Sequence, residues 1–114
     1  MGDLEEDQGA DDQVAVIGVE TRLDPAGTPI ISLSGELDSS NAASLEAAIA
    51  PLAAEHEERL IFDLSELRFM DSAGIAVLVG VAARVGAVQL REPSQAVRRV
   101  IGLTGLSSVL PIEP

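Results

Sequence analysis

Between residues 73 and 88 the only polar side chain is Arg84, and this stretch limits what the chain can become. A helix there is apolar nearly all round, so it is either buried on most sides or exposes a sticky face. Its uninterrupted part, residues 73–83, is far short of the roughly 20 residues needed to cross a bilayer. It therefore reads as a core helix with other elements wrapped around it.

Those elements follow from local patterning. Residues 14–23 are β-branched and end at Asp24-Pro-Ala-Gly27, a turn signal; residues 29–38 then resume the alternation, which predicts a hairpin. Asp38-Ser-Ser-Asn41 is a cluster of N-cap residues, with Leu45, Ile49 and Leu52 following at helical spacing. Pro51 predicts a kink or an ending near Ala50. Residues 60–64 suit a short buried strand, with the loop carrying Ser72 after it. Residues 87–92 predict another strand ending at Pro93. Ser94 can cap a last helix that turns Val97, Val100 and Ile101 inward and Arg98 and Arg99 outward, with Gly102 and Gly105 stopping it. Residues 108–112 could add a final short strand. The order β-β-α-β-α-β-α places crossover helices between later strands, so the class is α/β, a mixed β-sheet with an N-terminal hairpin followed by βα units.

Composition excludes much. The 114 residues include no cysteine and no lysine, and His56 is the only histidine. A thiol nucleophile, a P-loop lysine and a histidine metal cluster are thereby excluded, and a serine triad would have to be built on His56 alone. Net charge is −12, which repels nucleic acid and anionic lipid. Residues 1–13 carry Asp3, Glu5, Glu6, Asp7, Asp11 and Asp12 with almost nothing apolar, as in a solvated, disordered tail, and residues 14–114 form the single domain. With neither a basic start nor an apolar run at this end, a cytoplasmic protein is expected.

The chemistry concentrates at Phe69-Met-Asp-Ser-Ala-Gly-Ile75, where Ser72 stands at the start of the apolar helix. A hydroxyl there can cap the helix, or carry a phosphate beside free N–H groups and the positive end of the macrodipole. Asp38 likewise could serve only to open the first helix. Gly74 and Gly80 read as packing or turn residues, His56 as a solvated helix end, and Phe69 and Met70 as core.

With Gly35-Glu-Leu-Asp38, Phe62-Asp-Leu-Ser65, Met70-Asp-Ser-Ala-Gly-Ile75 and Leu103-Thr-Gly-Leu106 in this order, the chain resembles the STAS domain family over roughly residues 14–112, above all its free-standing anti-sigma factor antagonists. The resemblance implies that an anti-sigma factor with serine kinase activity phosphorylates Ser72. The unmodified form then binds that partner and frees its sigma factor, and a separate serine phosphatase resets the switch. It places Asp38 and Asp71 close to the serine and to the kinase's nucleotide. Ala73 stands where the family often has Ser or Thr, so no adjacent hydroxyl can substitute, and the segment 71–93 is about one helical turn shorter than usual. No cofactor, metal, nucleic acid, membrane insertion or catalysis by this chain is implied. Two alternatives within the family are a non-catalytic subunit of a membrane-associated transport ATPase and a nucleotide-sensing module.

Overall fold

The computed structural model describes residues 16–113; the expected acidic tail, and residues 14 and 15 of the expected first strand, lie outside the described residues. Strands β1 (Ile17–Leu23) and β2 (Pro29–Leu37) form the expected antiparallel hairpin, from Ile17 opposite Gly35 to Leu23 opposite Pro29. Its turn is closed by Asp24, whose Oδ1 accepts from Ala26 N–H at 2.9 Å and Thr28 N–H at 2.8 Å. Gly27 supplies the left-handed conformation there, at φ 87°.

Helix α1 (Ala42–Glu55), strand β3 (Arg59–Met70), helix α2 (Ser72–Ala82), strand β4 (Ala87–Arg91) and helix α3 (Gln95–Leu103) follow. The sheet order is β1-β2-β3-β4, with β2, β3 and β4 mutually parallel, as the crossover argument requires. Ile31 and Leu33 of β2, Leu60, Phe62 and Leu64 of β3, and Val88 and Leu90 of β4 share one face. They form a contiguous core with Leu45 and Ile49 of α1, Leu78 and Val81 of α2, and Val97 and Ile101 of α3. Ile30 and Ile61, on the other face, are also buried; their register neighbours are Arg22 and Gln89.

Five expectations need correction. The ending near Ala50 does not occur: helix α1 runs through Pro51 to Glu55, with Ile49 and Ala53 buried on either side of the proline and the proline itself on the exposed face. Strand β3 extends six residues beyond Leu64 and keeps pairing with β2 through two register shifts; those bulges break the alternation that would have identified it. Phe69 is 47% exposed, since Met70 takes the core face and adjacent strand residues point oppositely. Gly102 lies within α3; the chain turns instead at Gly105, at φ 71°. The last segment makes a single bridge, Ile112 to Leu90, because its turn over residues 107–109 leaves too few residues to pair. Ser94 caps α3 as expected, its Oγ accepting from Val97 N–H at 3.1 Å. No helix among the described residues is long and apolar enough to cross a membrane.

Candidate functional site

The site is made where two parallel strands end together. Leu37 and Met70 are register partners, and Asp71 N–H donates to the Leu37 carbonyl at 3.2 Å. Asp38 and Asp71 are therefore the first residues beyond adjacent strand ends, at the C-terminal edge of the parallel strands where open α/β sheets place their ligands. Two glycines permit this junction. Gly35, at φ 94°, occupies the register shift, and any Cβ on it would collide with the Val16 carbonyl. A Cβ on Gly74 would lie 2.5 Å from Met70 Cγ and 2.8 Å from Leu37 Cδ2, so only glycine lets α2 settle onto both strand ends.

Asp71, not Ser72, caps α2. Its Oδ1 accepts from Ala73 N–H at 2.9 Å and from Gly74 N–H at 3.3 Å, satisfying two of the helix's otherwise unpaired donors. Ser72 is the first helical residue and is exposed, and its hydroxyl makes no hydrogen bond with any described residue. The structural duty open to Ser72 on sequence grounds thus falls to its neighbour. The serine oxygen is left presented to solvent at the positive end of the helix.

Asp38 is held by Ser40, whose hydroxyl donates to Asp38 Oδ1 at 2.6 Å and whose N–H donates to the same oxygen at 2.8 Å. These bonds to the ionised form keep the Asp38 carboxyl below its ordinary value. The run's fourth residue, Asn41, is the member that sequence reasoning underrated. It sits at the N-cap position of α1 but makes no side-chain cap bond. Its buried amide reaches back instead: Oδ1 accepts from Asp38 N–H at 3.0 Å and Nδ2 donates to the Glu36 carbonyl at 2.9 Å. One side chain so ties the end of β2, the Asp38 turn and the start of α1. The only sequence signal was an amide ending a run of capping residues, and it does not say in which direction the amide points.

Asp63, inside the Phe62-Asp-Leu-Ser65 motif, lies elsewhere. Burial raises its carboxyl, but hydrogen bonds from Ser65 and the charges of Arg22 and Arg91 outweigh this and leave it lowered. It belongs to the polar face of the sheet, with Arg22 at 3.7 Å.

Next to Ser72 a groove of about 440 Å³ runs between α1 and α2, lined by Ser39, Ala42, Ala43, Glu46, Ala73 and Val77 among others. Its alanines leave room that larger side chains would fill, and Arg84 stands 3.9 Å from Glu46 at its flank. Three of the four expected site residues, Asp38, Asp71 and Ser72, thus gather at one end of the sheet. Ala73, the fourth, forms the groove wall beside them.

In sequence and overall fold the chain is similar to known proteins. The chain is 35% identical over 66 residues to the anti-sigma-F factor antagonist RsfB of Mycobacterium tuberculosis, a match covering 58% of this chain and only 54%, about half, of that protein. An anti-sigma factor antagonist structure from Mycobacterium paratuberculosis superposes with a TM-score of 0.78 at 32% identity, covering 87% of this chain and 86% of that one. SpoIIAA, an anti-sigma factor antagonist in its unphosphorylated form, gives 0.69 at 26% identity over 85% and 89% of the two chains. A family model described as "Mlab, STAS domain" matches residues 21–111, and by that match the chain belongs to the STAS domain family.

Proposed function

We propose that this chain is an anti-sigma factor antagonist controlled by phosphorylation of Ser72. The observation that carries the reading is the exposed, unbonded Ser72 hydroxyl at a helix start already capped by Asp71, beside an open groove. The named relatives support the class of partner, and SpoIIAA's description as unphosphorylated marks it as a protein with a phosphorylated counterpart.

In this mechanism the unmodified surface around Ser72, Asp38, Asp71 and the Ala73 wall receives an anti-sigma factor, whose sigma factor is released. The partner is also the kinase: it brings ATP and Mg²⁺, and its nucleotide lies near Asp38. The chain acts as ligand and substrate, not as an enzyme, and a serine phosphatase in the cytoplasm removes the phosphate. Phosphate adds about −1.5 to −2 charges beside two fixed carboxylates, so a partner must desolvate a dense anionic cluster to stay bound. It therefore leaves.

Purified chain and a Ser72→Ala variant, incubated with extract of the source cells and ATP, test this by intact mass and by proteins co-purified. The wild type should gain one phosphate and lose an anti-sigma factor that the variant retains. Binding with no phosphate on Ser72 under any supporting condition, or binding indifferent to that phosphate, overturns the proposal.

A further inference from the structure

We infer that the free edge of β1 is a self-association surface, on which a second copy adds its own β1 antiparallel about a two-fold axis at Thr21. The inference rests on the edge strand and is independent of Ser72.

Strand β1 ends the sheet, and among the described residues nothing pairs with its outer side. Residues 19–23 are all exposed, so the strand projects beyond the helices on one face and the polar layer on the other. The phase of its hydrogen bonds is fixed at both ends. Glu36 N–H donates to the Val16 carbonyl at 2.9 Å, and Asp24 N–H to the Thr28 carbonyl at 2.9 Å. In an antiparallel pair these bonds recur at every second residue, so Ile17, Val19, Thr21 and Leu23 turn their N–H and C=O groups to the open side. Such an edge is a template for another strand unless it is blunted, and no proline or bulge interrupts it.

Side-chain chemistry selects both occupant and register. A two-fold axis at Glu20 would set two carboxylates face to face, and one at Arg22 would oppose two guanidinium groups; like charges directly opposite are unfavourable. An axis at Val19 would face Glu20 with Gly18 of the partner subunit. With the axis at Thr21, Glu20 faces the partner's Arg22, Val19 faces the partner's Leu23, and the two threonines face each other. Val19 and Leu23 are two of the chain's exposed large apolar residues, at 37% and 62%. Glu20 has no ion-pair partner among the described residues. Arg22, on the same polar face, already leans across β2 to Ser32 and Asp63, which holds its guanidinium near the strand. The strand is thus complementary to itself, as an isologous contact requires.

A ribbon of two short strands buries less than the roughly 1,200 Å² of a standard stable interface, and two chains of net charge −12 repel each other. The dimer is therefore weak, forms at high concentration and strengthens with added salt. Antiparallel addition points the two Ile17 ends, and with them the two Ser72 sites, in opposite directions. Both sites stay open, and the dimer is bivalent.

The absence of cysteine makes the test direct. Single-cysteine variants at positions 19, 20, 21, 22 and 23 of the full chain are oxidised at high protein concentration. Cross-linking should peak several-fold at Thr21→Cys, the one position that faces itself, where paired Cα atoms about 5.5 Å apart suit a disulfide. Sedimentation of the unmodified chain should shift from 11.8 kDa toward twice that value with concentration and salt. Thr21→Pro, which removes an outward N–H, and Leu23→Asp should each abolish the shift while circular dichroism stays unchanged. A chain that remains monomeric into the millimolar range, a cross-linking maximum elsewhere, or a dimer indifferent to Leu23→Asp overturns the inference.

Discussion

Replacing Asn41 by alanine tests whether one buried amide organises the functional end. The substitution removes the acceptor of Asp38 N–H and the donor to the Glu36 carbonyl, bonds of 3.0 and 2.9 Å, from a residue only 6% exposed. A buried backbone group left without its partner costs about 1–3 kcal/mol, so two cost roughly 2–6. The exposed Ser39 and Ser40 let the turn relax and admit water on one side, which places the expected loss at about 2–4 kcal/mol. That is a large share of the ~5–15 kcal/mol stability of an ordinary domain, and at ~4–8 °C per kcal/mol it lowers the melting temperature by roughly 10–30 °C. With no Trp or Tyr, the assay is thermal and urea unfolding by far-ultraviolet circular dichroism. Ser44→Ala, exposed and one turn further along α1, is the control and should stay within about 0.5 kcal/mol. Asn41→Asp adds a signed check. Its carboxylate would face the Glu36 carbonyl, an environment that raises its pKa on folding, so this variant should regain stability as pH falls and lose it as pH rises through the folded value. A loss of under 0.5 kcal/mol in Asn41→Ala, or a pH response of the opposite sign, refutes the reasoning.

Gly74→Ala should cost about 1–3 kcal/mol, because its Cβ meets Met70 and Leu37 at 2.5–2.8 Å and overpacks the junction; an unchanged urea midpoint would contradict this. Pro51→Ala should stabilise α1 by up to about 3 kcal/mol, since an interior proline lacks a donor and this one lies on the exposed face; a fall in melting temperature would contradict it. Carboxyl NMR titration should find Asp38 ionising below its ordinary value and moving up in Ser40→Ala. Because the folded carboxyl is depressed, the stability linked to it is present above the unfolded pKa and is lost as pH falls through the folded one. Phosphorylated Ser72 should melt within about 1 kcal/mol of the unmodified chain, while partner affinity falls by about a hundredfold or more, as like charges in an interface cost several kcal/mol; calorimetry on both forms separates the two effects.

The hairpin, the buried helix α2 and the cap at Ser94 were legible because each rests on a short-range rule, turn residues, periodicity or a cap, and the parallel order followed from the crossover helices that this element order places between strands. What stayed hidden depended on partners distant in sequence. Residues 65–70, with Glu66 and Arg68 in them, look like loop until β2 is placed alongside, and the two register shifts erase their alternation. Pro51 kinks or ends a helix by local reckoning, yet α1 continues past it with Ile49 and Ala53 buried on either side. Phe69 reads as core by composition, but only its strand phase reveals that Met70 holds the inner face. At the candidate site, the motifs pointed to Asp38, Asp71, Ser72 and Ala73, which the fold brings to one end of the sheet, whereas the division of labour between Asp71 and Ser72 is set by the backbone geometry at the helix start.

Under the proposed function, that division lets a switch be placed here at little structural cost. A hydroxyl that capped the helix could not accept phosphate without surrendering its hydrogen bonds, and modification would then report partly as unfolding. With the Asp71 carboxylate holding the Ala73 and Gly74 N–H groups, and Gly74 seating α2 on Leu37 and Met70, the helix start is secured from beneath. Ser72 is left outside that framework, so its charge can change while the framework does not. The same logic separates the two kinds of variant: changes at Asp71, Gly74 or Asn41 should act on stability and the site together, whereas under the proposed function changes at Ser72 should act on recognition alone.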